Sequence, residues 1–217
     1  MKPAAIFPVL LVASSSANAK KIFCNEGTTE SWDLAQVEHN GYLHETTDVY
    51  FDRPPALVAG YNIAQFIAPF DSSCDSYMPT TMMWMVGSQL FTRTKHGSVC
   101  NQTIVEYPLD VDVTAGDWHR VIIGASWQAS TTGFLKVWYD GKKVLDEQDI
   151  PTTVTETEQF QFRIGLYANG WYDDRTRQPP EGIYEVFYDK IAIATTKDEA
   201  SPDTWKRKPI SCRRLTR

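Results

Sequence analysis

The stretch Gly133-Phe134-Leu135-Lys136-Val137-Trp138-Tyr139-Asp140-Gly141-Lys142-Lys143-Val144-Leu145 decides the fold. Phe134 to Tyr139, aromatic and apolar apart from Lys136, reads as one extended arm. Asp140-Gly141 then supplies the positive φ angles of a tight primed turn, and Lys142 to Leu145 return as the second arm of a hairpin. A strand is expected just before it, over Trp118–Ser126, with Thr131-Thr132-Gly133 as the connecting turn.

Outward from that hairpin, period-two alternation dominates from about residue 42 onward, and no amphipathic helix longer than two turns is found. Further strands are expected over residues 42–51, 57–68, 80–92, 160–167 and 183–193. No fixed-period repeat or low-complexity linker interrupts them. The expectation is therefore an all-β, single-domain sandwich of two antiparallel sheets, a jelly roll of about eight to ten short strands. Residues 160–167 are the most informative of these segments. Phe160, Phe162, Ile164 and Leu166 share one face, so Gln161, Arg163, Gly165 and Tyr167 share the other. One face builds core and the other offers polar groups.

The first residues read as an export signal: Lys2 starts them, residues 4–13 are nearly all apolar, and Ala17-Asn18-Ala19 fits a cleavage site. A signal peptide over residues 1–19 leaves residues 20–217 as one domain, secreted to the extracellular space and expected to be monomeric. No later run approaches the roughly 20 apolar residues of a membrane span, so no membrane partner is expected. The net charge of −6 argues against a nucleic-acid partner drawn in by a positive field. Basic residues do gather at the end, as Lys206, Arg207, Lys208, Arg213, Arg214 and Arg217, and read as a solvated tail ahead of an auxiliary contact to an anionic polymer.

Cys24, Cys74, Cys100 and Cys212 form an even set, which in an exported chain favours two disulfides. Of the three pairings open to them, Cys24 with Cys212 and Cys74 with Cys100 are favoured. The first ties the ends together and the second closes a loop around the Met/Trp-rich segment. Asn101-Gln102-Thr103 is an N-glycosylation acceptor, which in a eukaryotic glycoprotein would face solvent.

Three pieces carry a resemblance: Trp118-His119-Arg120-Val121-Ile122-Ile123, the hairpin from Gly133 to Val144, and Phe162-Arg163-Ile164-Gly165-Leu166-Tyr167. Together they resemble the second half of the jelly-roll polysaccharide lyases of the concanavalin A-like fold, which include glucuronan lyases, the heparin lyase I type and the smaller alginate lyases. Size and secretion make glucuronan lyases (polysaccharide lyase family 20) the nearest. The resemblance spans roughly residues 118–193, with a shorter echo in Tyr61-Asn62-Ile63-Ala64-Gln65.

Such enzymes cleave acidic polysaccharides by β-elimination. The resemblance implies Tyr167 as acid and base, with Arg163 and Gln65 neutralising the uronate carboxylate, Arg163 standing where relatives often have lysine. His44, which alternates with Thr46 and Asp48, is a further candidate base or neutraliser facing the cleft. Arg53, Tyr61, Gln161, Trp171 and Tyr172 are expected to bind substrate, the last two as a stacking rim. Trp127 is another stacking candidate, Trp84 among Met82, Met83 and Met85 reads as core, and Lys95 and His96 read as a solvated loop. Two departures stand out: Ile67 replaces the histidine of alginate-active relatives, and only His44-Glu45 and Arg53 stand in for an Arg-x-Glu strand. The resemblance also implies a structural Ca²⁺ held by Asn25, Glu26 and Asp189.

Two alternatives remain at this level. The same groove would serve a non-catalytic, lectin-like carbohydrate-binding domain. A glycoside hydrolase would need a tight pair of carboxylates on one strand, whereas Glu156 and Glu158 fall in a Pro/Thr-rich loop. No serine elbow or metal-hydrolase spacing is present.

Overall fold

A computed structural model of the chain describes residues 21–25, 38–39, 43–51, 60–70, 73–74, 77–156, 160–168 and 186–201. The strands run in the order β1 (Lys21–Asn25), β2 (Glu38–His39), β3 (Leu43–Phe51), β4 (Gly60–Pro69), β5 (Tyr77–Val86), β6 (Gln89–Ser98), β7 (Asn101–Asp112), β8 (Trp118–Ser126), β9 (Gly133–Tyr139), β10 (Lys142–Ile150), β11 (Phe160–Ala168) and β12 (Val186–Ala194), followed by α1 (Lys197–Ala200). They form two six-stranded sheets, ordered β1-β12-β3-β8-β9-β10 and β2-β11-β4-β5-β6-β7, and every pairing between them is antiparallel.

The hairpin that anchors the sequence reading is β9 and β10. Its turn has φ of 47° at Asp140 and 83° at Gly141. Asp140 also ties the turn to β8, its Oδ1 accepting from the Arg120 N–H at 2.7 Å and its Oδ2 lying 2.9 Å from His119 Nδ1.

Two expectations about strands are corrected. Residues 80–92 are not one strand: the chain turns at Gly87, with φ of 61°, and splits into β5 and β6. Lys95 and His96 accordingly belong to β6 and not to a solvated loop, and Lys95 is only 8% exposed. β7 was not expected from the sequence, because it is an edge strand whose mixed polar composition shows no clean alternation.

The core lies between the sheets. Ile63, Phe66, Ala68, Met83, Met85, Leu90 and Phe160 come from the second sheet. Val121, Ile123, Leu135, Val137, Tyr188 and Ile193 come from the first. Trp127, a candidate sugar platform by sequence, is instead 8% exposed in this core, 4.7 Å from the Phe66 ring, with its indole N–H donated to Thr81 Oγ1 at 3.2 Å. A buried indole satisfied in this way is a packing element.

Cys74 and Cys100 form the expected disulfide and tie the segment before β5 to the turn between β6 and β7. Cys212, the expected partner of Cys24, lies outside the described residues, as do the export signal and the basic tail. Among the described residues no helix is long and apolar enough to cross a membrane.

Candidate active site

β4 and β11 are neighbours in the second sheet, and their register places Arg163 opposite Gln65 and Tyr167 opposite Asn62. The same ladder continues into β5 and β6: Gln65 faces Met82 and then Arg93, while Asn62 faces Trp84 and then Phe91. Residues directly opposed across antiparallel strands share a face. Two rows therefore cross the outer face of this sheet, one of Arg163, Gln65, Met82 and Arg93, the other of Tyr167, Asn62, Trp84 and Phe91.

Bulges create this arrangement. Between Asn62 and Ala64 the register of β4 slips by one against β5, leaving Ile63 without an opposite residue. Asn62 and Gln65 are three apart and would point to opposite faces of a regular strand. The extra residue turns them to the same side, and the Asn62 Nδ2 donates to Gln65 Oε1 at 2.9 Å. β11 carries a matching irregularity between Ile164 and Tyr167. Gly165 sits inside it with φ of 152°, a conformation that L side chains rarely adopt.

The polar groups differ in freedom. Asn62 is 2% exposed, whereas Tyr167 is 60% exposed and presents its phenol to solvent. The Arg163 guanidinium is steadied from its own strand: Nε and Nη2 donate to Gln161 Oε1 at 3.2 and 2.6 Å. Gln161 thus supports Arg163 and takes the role of a holder beside its expected one of substrate contact. Trp84 stacks on Phe91, with ring centroids 5.7 Å apart and planes 16° from parallel. It belongs to the outer face and not to the core, so its expected burial is corrected.

The face combines guanidinium and amide donors with an exposed phenol and a flat aromatic pair. Arg163 and Gln65 can hold a carboxylate between two strands, and Tyr167 stands one row further along. Aromatic faces offer stacking surface for a pyranose ring.

Other expected site residues fall elsewhere. His44 does not join this face: β3 belongs to the first sheet, where His44 is opposite Gly124 and Ala194. Alternation tells which face of its own sheet a residue takes, but not which sheet its strand joins. Tyr61 is opposite Met85 of β5 on one side and Ala168 of β11 on the other. Arg53, Trp171 and Tyr172 lie outside the described residues. Alternation in the sequence does not mark Asn62, whose parity the bulge inverts, or Arg93, which lies one residue past the expected strand 80–92.

Of the residues expected to hold calcium, Asp189 alone has a described side chain. Asp189 Oδ1 accepts from the Lys190 backbone N–H at 2.8 Å and Oδ2 lies 3.5 Å from Lys190 Nζ. Glu26 lies outside the described residues, and among them no group of three or more His, Cys, Asp or Glu side chains is placed to hold a metal. No chemical step is derived through that ion.

A family model described as polysaccharide lyase matches residues 54–192. The crystal structure of endo-beta-1,4-glucuronan lyase from the fungus Trichoderma reesei superimposes with a TM-score of 0.77 at 30% identity, covering 85% of this chain and 99% of that one. Alginate lyase Aly36B shares the fold, with a TM-score of 0.50 at 14% identity over 73% of this chain and 72% of its own. No curated protein matches the sequence. With the family match running through the strands that carry Gln65, Arg163 and Tyr167, and a glucuronan lyase overlaid along nearly its whole length, the chain belongs to the polysaccharide lyase family.

Proposed function

We propose that this lyase is secreted and cleaves a glucuronan-type polyuronate by β-elimination, with Tyr167, Arg163 and Gln65 as its catalytic residues. The observation that carries the reading is the register of β4 and β11, which sets Arg163 beside Gln65 with the exposed Tyr167 on the same face.

The chemistry explains these residue types. The proton at C5 of a uronate becomes acidic only when the adjoining carboxylate is neutralised, and a guanidinium with an amide N–H supplies that. Acting as its phenolate, Tyr167 takes the C5 proton, the electron pair left behind forms the C4–C5 double bond, the bond to the O4 leaving oxygen breaks, and the phenol so formed gives that same proton to O4. Trp84 and Phe91 carry the neighbouring ring. Arg163 and Arg93 bring positive charge to this face, which reconciles an acidic chain with an anionic substrate.

Secretion is supported by the export-type start of the sequence and by the Cys74 to Cys100 disulfide, which persists in oxidising compartments. Asn101 is exposed at the start of β7, where a glycan is accommodated without disturbing the core.

The test is direct. Purified protein is incubated with glucuronan, alginate and heparin-type chains while ultraviolet absorbance follows the unsaturated uronate. Glucuronan is expected to give the strongest signal, and Tyr167→Phe to abolish it while still retaining the polymer in a binding assay. Polymer binding with no unsaturated product from the wild type would return the chain to the lectin-like alternative, and saturated reducing ends would mark a hydrolase.

A further inference from the structure

We infer that Asn62 is a positioning residue for the elimination, setting which end of the Gln65 side-chain amide meets the uronate carboxylate. The inference rests on the lyase reading of Gln65 and adds to it the group that makes this glutamine a donor.

An amide side chain has two chemically opposite ends, and only the NH₂ end stabilises a carboxylate. Isolated on a strand, Gln65 could present either. Here its Oε1 accepts from Asn62 Nδ2 at 2.9 Å, so its Nε2, on the other branch of the planar amide, is left to donate toward the face it shares with Arg163. The oxygen that would repel a carboxylate is thereby turned away from it.

Two further observations single Asn62 out. It is 2% exposed, and its Oδ1 is buried with no hydrogen-bond partner among the described residues. An unpaired buried carbonyl is costly, and an apolar residue of similar size would avoid it. The bond to Gln65 is the interaction an apolar residue would lose. Moreover, this contact exists only because Ile63 is inserted without an opposite residue, which brings positions three apart onto one side. The bulge and the asparagine work as one device.

Asn62→Asp tests this with almost no change of shape, because a carboxylate accepts and does not donate. Gln65 would then turn its NH₂ toward the new carboxylate and its oxygen toward the substrate. Turnover on glucuronan is expected to fall about a hundredfold, as for loss of one preorganised donor, with KM changed less than about threefold because Arg163 still binds the polymer. In the wild type, nuclear magnetic resonance should show the Asn62 side-chain amide protons exchanging with solvent more slowly than those of Gln65. Wild-type turnover in Asn62→Asp, or a Gln65 amide more protected than that of Asn62, would overturn the inference. Gln65→Ala is measured alongside. If it is inactive while Asn62→Asp is fully active, only the positioning role fails; if it too is fully active, the catalytic reading of Gln65 fails. Should Asn62→Asp not fold, the exchange measurement on the wild type decides.

Discussion

Tyr188 donates its hydroxyl to the backbone carbonyl of Ile63 at 2.9 Å, through the middle of the core. Tyr188 belongs to β12 of the first sheet, and Ile63 is the inserted residue of β4 in the second. A bulge frees a carbonyl from the ladder, and a buried carbonyl needs a donor. The bond therefore joins the two sheets at the irregularity that aims Asn62 and Gln65. Tyr188→Phe leaves that carbonyl unpaired and is expected to cost about 1–3 kcal/mol in urea unfolding. Turnover should fall while the far hairpin of β9 and β10 keeps its hydrogen-exchange protection. A variant as stable and as active as the wild type would show that the bulge holds itself.

Gly165 gives a cleaner test of the β11 irregularity. A Cβ added there meets nothing within 4 Å, so any penalty comes from the backbone alone. At φ of 152° an L residue is strained, and Gly165→Ala is expected to cost about 1–3 kcal/mol. Relief of that strain would shift Tyr167 relative to Arg163, so kcat should drop by more than the stability loss explains. Thermal unfolding and steady-state rates on the same preparation separate the two effects.

Trp84 should act through binding. Its ring lies against Phe91 and on the row of Tyr167, so under the proposed function it would meet the polymer as a platform and take no part in proton transfer. Trp84→Ala is predicted to raise KM roughly tenfold, the worth of one aromatic contact, with kcat nearly unchanged. Quenching of tryptophan fluorescence by oligouronates should weaken in parallel. A fall in kcat at constant KM would contradict the platform role.

Local chemistry made part of this site legible in the sequence. The Asp140-Gly141 turn was readable because its φ angles depend on two residues, and β11 was readable because its alternation marked Arg163 and Tyr167. That second reading survived the bulges for a specific reason. From Arg163 to Tyr167 β11 advances four residues while β5 advances two, from Met82 to Trp84, so two extra residues restore the parity. β4 spends three residues, Asn62 to Gln65, on the same span, and its single extra residue inverts the parity and hides Asn62. His44 was misplaced for a different reason, since the sheet that β3 joins is settled by long-range pairing with β8 and β12. The break at Gly87 was obscured by apolar residues on both sides of it.

Glu156 should give the chain a stability component at the acid end. Both of its carboxylate oxygens lie 3.1 Å from the Val99 backbone N–H, beside Cys100, and Oε2 also accepts from Thr155 Oγ1 at 3.1 Å. The Thr155 N–H is donated to Gly97 O at 2.8 Å, so the segment after β10 is fastened to the turn between β6 and β7. Desolvation pushes this carboxyl up, but the hydrogen bonds from the Val99 and Glu156 N–H groups and the Thr155 hydroxyl outweigh it and hold it below the ordinary value of 4.5. A carboxyl depressed in the folded state stabilises above its unfolded pKa and loses that contribution as pH falls through the folded one. Glu156→Gln should therefore melt below the wild type at pH 7, and the gap should close as the pH is lowered past 4.5 into the strongly acid range. Melting curves of both proteins between pH 7 and pH 3 check the sign. A gap that widens on acidification would mean that the fastening does not depend on the charged carboxylate.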